Sequence, residues 1–170
     1  MISLIAALAL AAAPAEVPAS LAVPPDAALT LRAEGRGMQI YVCAARPNLP
    51  DAYAWSFKAP QAVLLDAEGH RIGRHYAGPT WEDISGGQVI GKVVAAAPSP
   101  DPSAIDWLYL TAKSNAGGGP LSEIRYVQRV RTVGGKPPTG GCAFSSLGTE
   151  IDVPYSAEYD FYSTRKLAGD

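Results

Sequence analysis

Two-residue alternation of side-chain character, cut at short intervals by glycine and proline, limits this chain to a β fold. Met38, Ile40 and Val42 fall on one side of their segment and Gln39, Tyr41 and Cys43 on the other. Tyr53, Trp55 and Phe57 alternate in the same way with Ala54, Ser56 and Lys58. Successive side chains of a strand leave on opposite faces, so this is strand period. The same pattern covers 62–65, 71–76, 89–95, 105–111, 123–131, 151–153 and 157–162, and the separators are turn residues such as Glu68-Gly69, Gly78-Pro79, Gly86-Gly87 and Gly117-Gly118-Gly119. No window after residue 27 keeps apolar residues at helical spacing for about three turns. The expectation is an all-β, single-domain antiparallel sandwich or barrel of about nine or ten strands.

Individual strands carry tertiary information. Segment 105–111 is apolar on both faces, which predicts cover on both sides and, with the alternation around Trp55, burial of Trp55 and Trp107. In 123–131, Ile124, Tyr126 and Val130 oppose Glu123, Arg125, Arg129 and Arg131. That charged face must meet water or an anionic partner, since guanidinium groups receive carboxylate or phosphate bidentately. Tyr155, Tyr159 and Phe161 share one face and read as a core-closing strand.

The chain has 170 residues, which suits one packed domain. Its net charge of -2 and lack of any Lys/Arg run argue against nucleic acid as a partner. Residues 2–13 are almost wholly apolar and lead into Ala13-Pro14-Ala15, the pattern of a secretory signal peptide and a run too short to span a bilayer comfortably. The expected organisation is a signal peptide at 1–15, an Ala/Pro-rich leader at 16–27, a β domain at 28–165 and a tail at 166–170. The mature chain is then secreted or periplasmic, without a membrane span. In an oxidising compartment Cys43 and Cys142 are expected to form one disulfide, in preference to a catalytic thiol at Cys142.

The densest chemistry lies at Gly73-Arg74-His75-Tyr76-Ala77-Gly78-Pro79-Thr80-Trp81-Glu82. His75, Tyr76, Trp81 and Glu82 are candidate ligand-binding residues, with Trp81 either a flat apolar platform or a cap folded over the sheet end. His75 with Glu82 or Asp83 is the candidate catalytic set, although His75 can equally fix the Gly78-Pro79 turn by a hydrogen bond. Arg125, Arg129 and Arg131 are candidate anion-binding residues. His70 and His75, five apart, fall on opposite faces of a regular strand, so no metal site is expected. Gly117-Gly118-Gly119 and Gly134-Gly135-Lys136 run into prolines instead of opening a helix, so no nucleotide cofactor is expected. No Gly-x-Ser-x-Gly elbow occurs.

The succession Gln39-Ile40-Tyr41-Val42-Cys43, His75-Tyr76-Ala77-Gly78-Pro79-Thr80-Trp81, Ile105-Asp106-Trp107-Leu108, Tyr126-Val127-Gln128-Arg129, Thr132-Val133-Gly134-Gly135, Cys142 and Val153-Pro154-Tyr155-Ser156-Ala157-Glu158-Tyr159 resembles the family known as domain of unknown function 3455. The resemblance runs in order through nearly all of the chain after residue 15 and implies export and a compact β domain. A malate dehydrogenase label carried by some relatives finds no support in these residues. The functional expectation is a non-enzymatic exported module that binds a small molecule or envelope carbohydrate at sheet-end loops. The alternatives are a hydrolase with a spatially assembled His/carboxylate site and a structural surface protein.

Overall fold

The structure is a computed structural model that describes residues 15–49 and 51–164. Eight antiparallel strands close into one barrel in chain order: β1 (Ala27–Ala45), β2 (Tyr53–Leu65), β3 (Arg71–Tyr76), β4 (Thr80–Asp83), β5 (Gln88–Ala97), β6 (Trp107–Ala116), β7 (Tyr126–Gly134) and β8 (Glu150–Thr164). Closure by the long β1–β8 ladder removes the two edges that an open sheet would expose. Of the sandwich and barrel left open by the sequence, the barrel is the one formed. The proposed signal peptide at 1–15 lies, but for Ala15, outside the described residues, as does the tail at 166–170.

The strand count is eight because two pairs of expected strands are continuous and one short strand, β4, is additional. Pro60 joins the two halves of β2, and Pro154 those of β8. Pro60 pairs with Gln39, and the β2–β3 ladder begins only at Ala62; Pro154 pairs with Met38, and the β7–β8 ladder ends at Tyr155. Each proline thus lies just beyond one of its strand's two ladders, where no N–H is required and the strand need not break.

Inside, small and large residues alternate to fill the barrel. Ala33, Tyr41, Ala62, Leu64, Trp81, Val89, Leu110, Val127, Tyr155, Tyr159 and Phe161 are buried. Gly35 makes room for Tyr159, since a Cβ there would come within 2.5 Å of the ring, and Gly91 does the same for Trp81. Tyr155, Tyr159 and Phe161 share the inward face of β8.

A second apolar cluster lies outside the wall. Leu21 of the leader is fully buried against Trp107 and Val130, and the Gln128 Nε2 donates to the Leu21 carbonyl at 2.6 Å. The leader therefore lies on the domain, and β6 is covered on both sides, by the interior at Leu110 and by the leader at Trp107. Trp55 differs from the expectation of burial: it is half-buried, and its indole N–H donates to the Gly140 carbonyl at 2.9 Å. A bulge between Ile40 and Tyr41 shifts the β2 phase, and at that end of β2 the neighbouring wall is missing. Phe57, on the same face, is left 56% exposed.

Cys43 and Cys142 are joined in a disulfide with Cα atoms 5.4 Å apart. It fastens the end of β1 to the long β7–β8 connection. Among the described residues, no helix is long and apolar enough to cross a membrane.

Candidate functional site

The missing wall comes from unequal strand lengths. The β3–β4 hairpin is short, six and four residues, and it is flanked by strands of thirteen and ten. The β2–β3 ladder ends at Ala62 and His75, the β4–β5 ladder at Thr80 and Ile90, and Gly91 N–H reaches Pro79 O at 2.9 Å. Beyond these points β2 and β5 run on without a neighbour between them. The result is a notch above the Gly78-Pro79 turn. A cavity of about 180 Å³ opens there, walled by Gln39, His75, Trp81, Leu110, Arg129 and Tyr159, with Phe57, Lys58 and Val93 at the rim. A shallower mouth of about 390 Å³ shares Gln39, Phe57, Val93, Leu108 and Arg129 with it and adds Asp106 and Lys136.

His75 and Trp81 are cross-strand partners, and their rings stack with centroids 4.4 Å apart and planes inclined by 8°. Tyr159 stands edge-on to both, at 5.2 Å and 5.5 Å. The Thr80 carbonyl lies 2.8 Å from His75 Nδ1. A carbonyl can only accept, so Nδ1 carries the proton and Nε2 holds the lone pair. This bond crosses the Gly78-Pro79 turn and fixes it. Burial drives the His75 pKa down to about 3; the Thr80 carbonyl opposes that shift and the charge of Arg129 adds to it. The imidazole is therefore neutral at ordinary pH and acts as an acceptor and aromatic wall, being too weakly basic to serve well as a general base near neutrality.

The depressed pKa has a stability consequence with a definite sign. In the unfolded chain His75 takes up a proton near its ordinary value of 6.5, whereas the folded chain resists until about pH 3. Between these values the unfolded state binds more protons, so stability falls as pH falls, by up to a few kcal/mol at the acid end. Urea titrations of wild type and His75→Asn from pH 7 to 4 should show a smaller acid loss in the variant. Parallel curves would mean that His75 is not held neutral.

Arg129 extends from β7 into the barrel mouth. Its Nε and Nη2 donate to the Asp106 backbone carbonyl at 3.1 and 2.8 Å. No ion pair within 4 Å involves it among the described residues, and no carboxylate lines the 180 Å³ cavity. Burial raises the Tyr41, Tyr155 and Tyr159 phenols, and the Arg129 charge opposes the rise at all three. Two enclosed side-chain donors of residues that line the cavity, Gln39 Nε2 and Trp81 Nε1, make no close hydrogen bond.

The other sequence candidates are dispersed. Glu82 faces outward, accepting from Arg74 Nη2 at 2.9 and 2.8 Å, Tyr76 Oη at 2.8 Å and Gln88 Nε2 at 2.9 Å. Tyr76 belongs to this outer cluster, beneath the Arg74 guanidinium at 5.0 Å from its ring centroid. Asp83 is buried, but its carboxylate is occupied by the backbone N–H groups of Ser85, Gly87 and Leu121 at 2.8 to 3.1 Å. Neither carboxylate joins His75, because alternation sends Glu82 to the opposite face and Asp83 anchors the 3₁₀ turn Pro120–Glu123. Trp81 is 1% exposed and forms a cavity wall, not an open platform.

Nor do the three arginines share a face. Arg125 is exposed ahead of β7. Arg131 takes a left-handed φ of 49° in the bulge between Val130 and Val133 and pairs with Glu158 outside the barrel, which leaves Arg129 alone pointing inward. His70 is exposed, with Nδ1 3.3 Å from Asp66, and is separate from the inward-facing His75. Asp66, Glu68 and His70 lie close together in a surface turn organised by Asp66 accepting from the Glu68 and His70 N–H groups. Sequence reasoning did not assign Gln39, Leu110 or Tyr159 to a site. The available signal was Gln39 itself, an amide on the face shared by Tyr41 and Cys43.

Compared with known proteins, residues 24–163 match the model of the family described as protein of unknown function (DUF3455). No curated protein and no solved structure matches the chain.

Proposed function

We propose that this chain, which belongs to the DUF3455 family of proteins of unknown function, is an exported binding protein that takes a small, flat and mainly apolar molecule into the cavity above the β3–β4 hairpin. The observation that carries this reading is an aromatic-walled cavity reaching the interior of an eight-stranded barrel through a notch in its wall. Small barrels of this size either fill with side chains or hold one small ligand. At about 180 Å³ the cavity is smaller than a pocket for a drug-sized molecule, so its occupant is small. The wall is made of Trp81, His75, Tyr159 and Leu110, with few polar groups to fix orientation. Envelope carbohydrate suits this site less well than a flat apolar body, because the Trp81 ring is covered by His75 and Tyr159 and offers no open face for a sugar. The export reading rests on the apolar run at 2–13 and on the disulfide, since such bonds persist in oxidising compartments.

Leu108 lines both the cavity and the outer mouth, so Leu108→Trp should fill the space with little disturbance of the barrel. Saturation-transfer NMR with indole should give a signal for the wild-type protein and none for the variant, whose thermal midpoint stays close to wild type. Equal signals from both proteins would place indole elsewhere and remove this reading.

A further inference from the structure

Resting on the cavity reading above, we propose that the ligand is a monocarboxylate with a small apolar body, its carboxylate received by the free edge of the Arg129 guanidinium together with the Gln39 side-chain amide. A guanidinium has five N–H groups. Arg129 directs Nε and one side of Nη2 to the Asp106 carbonyl, and its other neighbour is the neutral Tyr159 phenol. The Nη1–Nη2 edge is thereby left without a carboxylate partner among the described residues, and that edge has the spacing to hold both oxygens of a carboxylate.

The surroundings select an acceptor. Gln39 is 2% exposed and lines the same cavity, and its enclosed Nε2 makes no close hydrogen bond, its one polar neighbour being the Tyr155 phenol, which it stabilises as the anion. A buried donor left unpaired is costly, and the half-buried Arg129 guanidinium, which also lines the open mouth, has no anion beside it among the described residues. Every charged side chain lining the cavity is basic: Arg129 inside, and Lys58 at the rim, where it is held by Glu150. His75 is uncharged and does not compete for the anion. The outer mouth contains one acid, Asp106, and one further base, Lys136, which donates to the Pro102 carbonyl at 2.6 Å. One guanidinium edge and one amide match a singly charged planar head, and the remaining wall, Trp81, Leu108, Leu110 and Tyr159, matches an apolar body. A phosphate ester would need more donors than the cavity presents.

The comparison of trans-cinnamate with cinnamamide decides the question, because the pair share their size and shape and differ in charge. Dissociation constants from NMR titration of the wild-type protein at low salt should favour the acid by about tenfold, as a bidentate, charge-assisted hydrogen-bonded pair at a half-buried site would. Sodium chloride should weaken the acid and leave the amide unchanged. In Arg129→Gln the preference should disappear with amide affinity retained, and Arg129→Lys should recover part of it. Equal affinity of the two probes for the wild-type protein, or tighter binding of the amide, overturns the proposal even if neither variant folds. Binding of indole without binding of cinnamate removes the anion site and leaves the cavity reading standing. Failure of indole and both probes removes the two together.

Discussion

Trp81→Ala lowers the stability of the barrel by about 3 to 5 kcal/mol, the range for truncating a large aromatic in a packed core. Trp81 is 1% exposed, stacked on His75, edge-on to Tyr159 and Phe161, and received by Gly91. Its removal joins the existing cavity to a new void that the stiff hairpin cannot collapse to fill. For a chain of this size the loss corresponds to a fall of roughly 10 °C in thermal midpoint. Urea unfolding monitored by circular dichroism measures it, and a change below about 1 kcal/mol, the level of an ordinary surface substitution, would show that Trp81 does not organise the core.

Loss of the disulfide has an effect of similar size through the unfolded state. Cys43 and Cys142 are 99 positions apart. Cutting a loop of that length in the chain-entropy treatment restores about 4 to 5 kcal/mol of denatured-state freedom. The native contacts across the tether need not change, because the Cys43 N–H donates to Thr149 O and the Gly148 N–H to Cys43 O, each at 2.9 Å, independently of the sulfur atoms. Paired Cys43→Ala and Cys142→Ala substitutions should therefore preserve the barrel's circular dichroism spectrum at low temperature while lowering the thermal midpoint by roughly 10 °C. An unchanged midpoint would mean that the β7–β8 connection is ordered without the bond in the unfolded chain as well.

Alternation was a reliable guide wherever a strand kept its phase. Gln39, Tyr41 and Cys43 do share one face, Tyr155, Tyr159 and Phe161 another, and the two-sided apolarity of 105–111 corresponds to a strand between the interior and the leader. The failures have physical causes. The first half of β1 was hidden because Gly35 and Gly37 are weak strand formers that are present to admit Tyr159 and the β2 backbone. β4 has only four residues and follows a Gly-Pro turn, so no pattern could announce it. The arginine face dissolved because a bulge changes the direction of Arg131, and a bulge leaves no trace in periodicity. The candidate site was legible in part: His75 and Trp81 were singled out together, but as neighbours of Glu82, and strand alternation had already placed that carboxylate on the other face. What sequence could not supply was the convergence of Gln39, Arg129 and Tyr159 from β1, β7 and β8. That depends on barrel closure and on the notch left by two short strands.

If the space above the β3–β4 hairpin is a ligand site, the indole N–H of Trp81, a residue of its wall, should report on it. In a ¹H–¹⁵N NMR titration of the wild-type protein with indole, the Trp81 Nε1–H and the amides of residues 75–81 and 108–110 should shift together and saturate, with the outer Arg74–Glu82 face unmoved. Shifts confined to that outer face, or none at millimolar indole, would mean that the cavity is not a ligand site.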